Sequence, residues 1–462
     1  MTTMPSVSIV IPTHNRAERL EQTLGALERQ TYPLAQMEIV VCADGCRDGT
    51  RALLDRLGHL PLSVVELPGL GPAGARNAGA AAARAPFLIF LDDDVEPLPD
   101  FVAAHVEAHE AQPQAAILGP YPPCPMASRS AFRLGVRHWW TQHFAALVEP
   151  GHRMRYTDVL TGNLSMARST WDAIGGLDPR LRAREDYELG LRLIEGGVPV
   201  VVAPRAFGHH HEHETMLVDK SFRRSREEGR ADILIAQTHP QARNDLKAVI
   251  WRRWSSRKSD LLDRLLLGGG RGTDWIMDLL ARLLPPLDRI GFRRLHSLLF
   301  RSLQSYWYIR GVGDRLPTFR AWRSFALEGR DPVGKPDLRL DLRDGIEAAE
   351  ATLDRLRPGF VELRYGHRIL GHLPRAIGAE PWAGRHLRPY LVRHLGPAYL
   401  RALAADDVIV PLTHDEFARL DTSLGYMAMH YGPRRSPWTW DEQYQQWRGF
   451  LSAWEAKADR RA

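Results

Sequence analysis

In the first hundred residues, apolar runs of strand length alternate with stretches of helical periodicity, and each run stops at a polar or acidic turn. Val7 to Ile11 ends at Pro12-Thr13-His14-Asn15, after which Arg16 to Arg29 places Ala17, Leu20, Leu24 and Leu27 on one helical face. Glu38 to Cys42 ends in Ala43-Asp44-Gly45-Cys46-Arg47-Asp48-Gly49-Thr50, and a helix follows to about Leu57. Leu62 to Leu67 reads as a third strand, Gly71 to Gly79 opens an alanine-rich helix, and Pro86 to Leu91 runs straight into Asp92, Asp93 and Asp94. This alternation predicts an α/β fold with a doubly wound, mostly parallel sheet flanked by helices. Ligands of such sheets gather outside the carboxyl ends of the strands.

A triplet of carboxylates at a strand end is suited to a divalent cation. Hard cations such as Mg²⁺ or Mn²⁺ take oxygen ligands, often one or two carboxylates completed by substrate phosphates, so a metal-bound diphosphate is the natural guest. The plain alternative is an acidic turn capping the helix that starts near Pro99.

Four stretches, Val7 to Tyr32, Glu38 to Thr50, Gly71 to Pro97 and Thr161 to Gly197, together resemble in their order the family 2 glycosyltransferases, enzymes of the GT-A fold that transfer a sugar from a nucleotide donor. The resemblance covers roughly the first 230 residues. It implies that Pro12, Thr13 and Asn15 shape the nucleoside pocket, that Asp44 hydrogen-bonds the base, and that Arg76 lies near the diphosphate. The triplet corresponds to the family's Asp-x-Asp signature. Asp94 is then the direct contact to Mn²⁺ or Mg²⁺, and Asp92 or Asp93 reaches the ribose, or the metal through water. A carboxylate accepting from a ring N–H suits uracil, which favours a UDP-sugar. Ala43 and Cys46 depart from the usual Asp-Asp-Gly-Ser pattern, so uridine over guanosine is a preference only.

Gly175-Gly176-Leu177-Asp178 to Arg184-Glu185-Asp186-Tyr187 resembles the family's Glu-Asp motif, whose second carboxylate is the general base, here Asp186. An acidic pair in a first helical turn also has a purely structural explanation in the helix dipole. Thr161 to Ala167 resembles the strand that lines the acceptor side. Family members often carry a histidine after the strand equivalent to Val198 to Ala203, and spacing from Pro204 in the run to His213 selects His210 as a further metal ligand. A solvated loop histidine is the alternative. Cysteine partners at zinc spacing are missing.

The 462 residues predict three parts: a nucleotide-sugar transferase domain over 1–230, a basic helical segment over 231–330, and a small α+β accessory domain over 331–462 after the linker Asp331-Pro332-Val333-Gly334-Lys335-Pro336. Residues 220–330 hold 23 Lys and Arg against 11 Asp and Glu, in a chain whose net charge is +6. Their apolar stripes, Trp275, Ile276, Leu279, Leu280 and Leu283, then Leu295, Leu298, Leu299, Leu303 and Tyr306, leave two readings open. The helices pack on the transferase domain, or they rest peripherally on an anionic membrane, which would suit a lipid-linked acceptor. No nucleic-acid motif accompanies the charge. Beyond the linker, Gly345 to Arg357 reads as a helix, Phe360 to Tyr365 and Arg368 to Leu373 as a hairpin, and Trp382 to Ala405 as mostly helical.

Three cysteines without a disulfide framework, a first strand close to Met1 and no apolar run near the ~20 residues of a membrane span predict a cytoplasmic protein. Processive relatives carry Gln-x-x-Arg-Trp, whereas Arg253-Trp254 follows Ile250, so a single addition is expected. The expected function is a metal-dependent, inverting transfer of one sugar to an acceptor hydroxyl on a lipid-linked or other glycan acceptor, in envelope, exopolysaccharide or glycoconjugate assembly. A homo-oligomer is left open. Sugar-phosphate nucleotidyltransferases are disfavoured, because Pro12 to Arg16 lacks their glycine-rich loop. A nucleotide-sugar-binding or membrane scaffold that has lost catalysis is the non-enzyme alternative.

Overall fold

The computed structural model describes residues 6–125, 128, 130–211, 217–247, 249, 267, 270–327 and 334–406. The chain divides into two compact units, one of Met1–Val148, Met154–Pro332 and Ile377–Ala379, the other of Glu149–Arg153, Val333–Ala376 and Glu380–Ala462.

The first unit is built on the predicted alternation. Strands β1 (Val7–Thr13), β2 (Met37–Asp44), β3 (Leu62–Leu67) and β4 (Phe87–Leu91) are separated by helices α1 (Ala17–Glu28), α2 (Thr50–Arg56) and α3 (Pro72–Ala82). They pair in parallel in the order β3-β2-β1-β4, with Thr13 opposite Ala43 and Asp44 opposite Leu67. Strands covered on both faces read as continuous apolar runs. Ile9, Val10, Ile39, Val40, Leu88 and Phe90 accordingly form the centre of the core. Edge strand β3 alternates, leaving Val64 and Glu66 exposed. Because the strands are parallel and in register, their carboxyl ends fall on one edge.

The chain continues through β5 (Val95–Pro97), α4 (Phe101–Ala111), β6 (Ala116–Leu118), α5 (Ala131–Leu147), β7 (Asn163–Ala167), α6 (Arg168–Ile174), α7 (Glu185–Glu195), β8 (Val200–Val202) and β9 (Gly208–His210). The sheet extends as β4-β7-β6-β8, in which β7 runs antiparallel to both neighbours and β8 parallel to β6. A separate pair, β5 with β9, sets Val95 opposite His210.

Helix α8 (Val218–Thr238) follows, then α9 (Arg271–Ala281), α10 (Leu284–Arg289), α11 (Arg293–Arg315) and α12 (Phe319–Leu327). The boundary expected at residue 230 falls inside α8, which continues unbroken and crosses α11 at close range. A Cβ on Gly229 would meet the Tyr308 carbonyl, and one on Gly311 the Arg226 carbonyl. Ile233 and Tyr308 share a core here, so the change in composition marks a change of surface rather than an end of packing.

In the second unit, β10 (Leu338–Asp341), α13 (Ile346–Leu356), β11 (Val361–Tyr365) and β12 (Arg368–Leu373) form a three-stranded sheet, followed by α14 (Gly384–Tyr390) and α15 (Gly396–Ala405). The hairpin turns at Gly366-His367, as expected, while β10 joins parallel to β11, a pairing the sequence did not suggest. Leu353, Val361, Leu363, Leu373 and Leu387 fill its core. The segment Pro437 to Ala462, which the sequence predicts to be a Trp-rich helix, Arg253-Trp254, and Glu212 and His213 of the histidine run lie outside the described residues.

Candidate active site

A cavity of ≈ 630 Å³ opens at the carboxyl edge of the parallel strands, and Pro12, Thr13, Asp44, Arg76, Asp92, Asp93, Asp94, Asp186 and His210 all line it. Ten positions were proposed as site residues from the sequence, and Asn15 is the one that is not among the lining residues. Asn15 holds a left-handed conformation, and its Oδ1 accepts from the Arg47 backbone at 2.7 Å, joining the turns after β1 and β2. His14 and Arg16 line the cavity on either side of it.

Asp44 is committed to its own loop. Oδ1 accepts from the amides of Gly69 and Leu70 at 2.9 and 2.6 Å, and Oδ2 from that of Gly71 at 2.7 Å. A carboxylate offers about four acceptor positions, so little capacity is left for a base. Gly71 sits at φ 82° beneath the Arg182 guanidinium, where a Cβ would collide. Asp44 therefore shapes the rim that opens α3 as well as facing the cavity.

The Asp triplet is neutralised from two sides. The Arg16 guanidinium lies 3.0 Å from Asp93 and 2.8 Å from Asp94, and His210 Nε2 lies 3.4 Å from the other oxygen of Asp94. Burial pushes the Asp93 carboxyl up to about 6 against the pull of Arg16. Burial acts on Asp94 in the same sense, but the charges of His210 and Arg16 prevail and hold it well below the usual carboxylate range. The ring of His210 is walled by Tyr121 and Trp140, with centroids 5.2 and 4.6 Å away. The β5–β9 pairing thus delivers the predicted histidine to the predicted carboxylate.

Among the described residues, no group of three or more His, Cys, Asp or Glu side chains is arranged to enclose a metal ion on its own. A cation that keeps waters and substrate phosphates needs only one or two protein ligands. The buried Asp94–His210 pair would meet that need with an oxygen donor and, once His210 gives up its proton, a nitrogen donor, both acceptable to Mn²⁺. Arg16 meanwhile supplies positive charge that two buried carboxylates require.

Arg76 bridges the two halves of the site. Its guanidinium pairs with Asp92 on one side and with Glu185, 3.4 Å away, on the other. It is buried, and its Nε has no hydrogen-bond partner among the described residues. Glu185 and Asp186 open α7, and a carboxylate there faces the positive helix end. Burial nonetheless raises the Asp186 carboxyl to about 7, with the neighbouring charge of Glu185 adding to the rise and Arg224 and Arg76 opposing it.

The turn that presents Asp186 is held by buried charge. Asn77 clamps Leu177 through both backbone groups at 2.8 and 2.9 Å. Arg184, at φ 59° just before α7, pairs with Asp232 of α8, which also accepts from the Tyr308 hydroxyl of α11. A non-glycine residue in this conformation is sustained only where its surroundings fix it. Asp232→Ala would leave the guanidinium without its main counter-charge, and a loss of about 3–5 kcal/mol in chemical denaturation is expected. Asp232→Asn, which keeps a hydrogen-bonding oxygen, should lose less.

Sequence reasoning missed Arg16, Arg182, Trp139, and the α8 side chains Lys220, Arg224, Glu227 and Glu228, all of which line the cavity. Trp139 stands 49% exposed and stacks on His143.

An α/β domain with carboxylates gathered at the carboxyl edge of parallel strands agrees with the fold that the sequence resemblance implies. Residues 8–160 match Glycosyl transferase family 2. Validoxylamine A glucosyltransferase of Streptomyces hygroscopicus subsp. jinggangensis is 34% identical over 239 residues, covering 46% of this chain and 56% of that protein. Pre-mycofactocin glycosyltransferase of Mycobacterium tuberculosis is 30% identical over 225 residues, covering 46% and 44%. The chain spans about half the length of these curated relatives. Among solved structures, the mannosyltransferase PcManGT of Pyrobaculum calidifontis, in complex with GDP-Man and Mn²⁺, aligns with a TM-score of 0.42 and 17% identity over 71% of this chain and 89% of that one.

Proposed function

We propose that the chain is a metal-dependent, inverting glycosyltransferase that moves one sugar from a nucleotide-sugar donor to an acceptor hydroxyl. The observation that carries this reading is the meeting of Asp44, Asp92, Asp94 and Asp186 in one cavity, with Arg76 joining the Asp92 side to the α7 side. Asp94 and His210 are the residues that would hold Mn²⁺ or Mg²⁺. Bound there, a divalent cation offsets the negative charge of a diphosphate leaving group.

The remaining roles belong to the chain itself. Asp186, on the α7 side of the cavity, takes the proton from the acceptor hydroxyl at a carboxylate oxygen while that hydroxyl attacks the anomeric carbon and the bond to the diphosphate breaks. Its raised affinity for protons keeps it close to neutrality, where a base is most effective. Trp139 offers an apolar face of the kind that sugar rings stack on. Two relatives are named for transfer to a defined acceptor, validoxylamine A and pre-mycofactocin, which fits a single addition better than polymerisation.

The test is a panel of UDP- and GDP-sugars with and without Mn²⁺, read by thermal shift and by release of the nucleoside diphosphate. One donor should stabilise the chain in a metal-dependent way, by about 2.7 kcal/mol at a hundredfold excess over its Kd. The same donor should yield nucleoside diphosphate on slow hydrolysis or transfer. Binding without any release would mark a catalytically inactive nucleotide-sugar-binding protein. No stabilisation by any donor would remove the reading altogether.

A further inference from the structure

Helix α9 carries apolar side chains on two faces. Met277, Leu280 and Ala281 turn inward and pack with Phe222, Leu284 and Leu303. Trp275, Ile276 and Leu279 point outward and are 65%, 47% and 47% exposed. On the following turns and helices Leu283, Ile290, Phe292, Leu295 and Leu298 are exposed as well. Large apolar side chains left exposed in such number along one stretch of chain mark an interaction site.

The same helices supply a cationic rim. Arg282, Arg289, Arg293 and Arg294 are exposed, and among the described residues none of them is in an ion pair. Of the three carboxylates on this stretch, Asp274 is engaged by Tyr306 and Arg310, and Asp288 accepts from the Ala131 backbone. Asp278 alone is exposed. No helix among the described residues is long and apolar enough to cross a membrane, and the 11 residues of α9 cannot do so. A short helix of this kind lies in the interface plane instead.

We propose that the edge formed by α9, α10 and the start of α11 docks this chain on an anionic lipid leaflet. Trp275, Leu279, Ile290 and Phe292 enter the boundary between headgroups and acyl chains, and the arginines meet lipid phosphates. A second copy of the chain is the poorer occupant, because a two-fold contact through this face would set one arginine rim against another. The inference does not depend on what the cleft transfers.

Flotation of the full chain with vesicles tests it. Binding is expected to phosphatidylcholine vesicles containing about one third phosphatidylglycerol, weakened by salt, and not to phosphatidylcholine alone. The triple change Arg289→Gln, Arg293→Gln, Arg294→Gln should lower partitioning roughly a hundredfold, at about fivefold per arginine. The pair Trp275→Ser, Leu279→Ser should abolish binding with unchanged melting temperature and unchanged donor-induced thermal shift. Failure of the wild-type chain to float with anionic vesicles would overturn the proposal. So would a wild-type dimer that the Trp275→Ser, Leu279→Ser pair converts to monomer, which would assign the face to self-association.

Discussion

Asp186→Asn is expected to lower turnover by about 10²–10⁴-fold while leaving donor binding intact, because the change removes a proton acceptor and keeps the side chain's shape. In the unaltered chain, kcat/KM should rise with pH along a limb centred near 7, the value to which burial and the Glu185 charge push this carboxyl. The variant should lack that limb. A second consequence concerns stability and has the opposite sign. A carboxyl whose affinity for protons is higher folded than unfolded favours folding at low pH, and that contribution is lost as pH rises from about 4 through 7. Asp186 therefore works against the fold above neutrality. The asparagine does not, so the variant should gain stability over the parent between pH 4 and 8. Since the group opens partly to the cleft, screening limits the gain to about 1–2 kcal/mol. Melting curves at pH 5 and pH 8 read it directly. An unchanged rate would move the base elsewhere, with Glu185 the nearest candidate.

The parts of this site that could be read in the sequence are those fixed by local rules. A buried parallel strand is a continuous apolar run, and the residues that follow it must lie at the sheet's carboxyl edge. Asp44 and Asp92 to Asp94 were therefore placed by the strands preceding them. Asp186 and His210 came instead from the family resemblance, one by its place in the Glu-Asp motif and the other by its spacing from Pro204. What stayed hidden depends on tertiary approach. Arg16 looks like one more polar residue at a helix start, and nothing in its neighbourhood announces two carboxylates some eighty positions away. Helix α5 buries Phe132, Trp140, Phe144 and Leu147, a thin stripe that gives no hint that Trp139 faces the cavity. The division at residue 230 was misleading for a related reason: charge density changes there, but α8 runs through it and carries cleft residues at one end and core residues at the other. The commitment of Asp44 to three backbone amides was equally illegible, since it depends on how the segment after β3 folds back.

Asp94→Asn should be as damaging as Asp186→Asn, by a different route. Asp94 is buried, with Arg16 on one oxygen and His210 near the other, and these charges hold its carboxyl well below the usual range. The asparagine preserves the volume and removes the negative charge that a cation and its diphosphate would need. Turnover is expected to fall by at least 10²–10³-fold, the scale on which a single preorganised charge partner acts. The metal-dependent part of the donor-induced thermal shift should vanish with it. The stability change also separates the two carboxylates. A group whose folded affinity for protons is depressed stabilises the fold above its unfolded value, and loses that contribution only as pH falls below about 4. Asp94→Asn should therefore destabilise the chain by about 1–3 kcal/mol, evenly from pH 5 to pH 8. Asp186→Asn should stabilise it increasingly over the same interval. Two neutral replacements in one cavity with opposite signs and different pH courses are hard to produce by a general loosening of the cleft. If Asp94→Asn instead keeps metal-dependent donor binding undiminished, the cation belongs to Asp92 or Asp93, and the Asp94–His210 pair serves to hold β9 against the strand end.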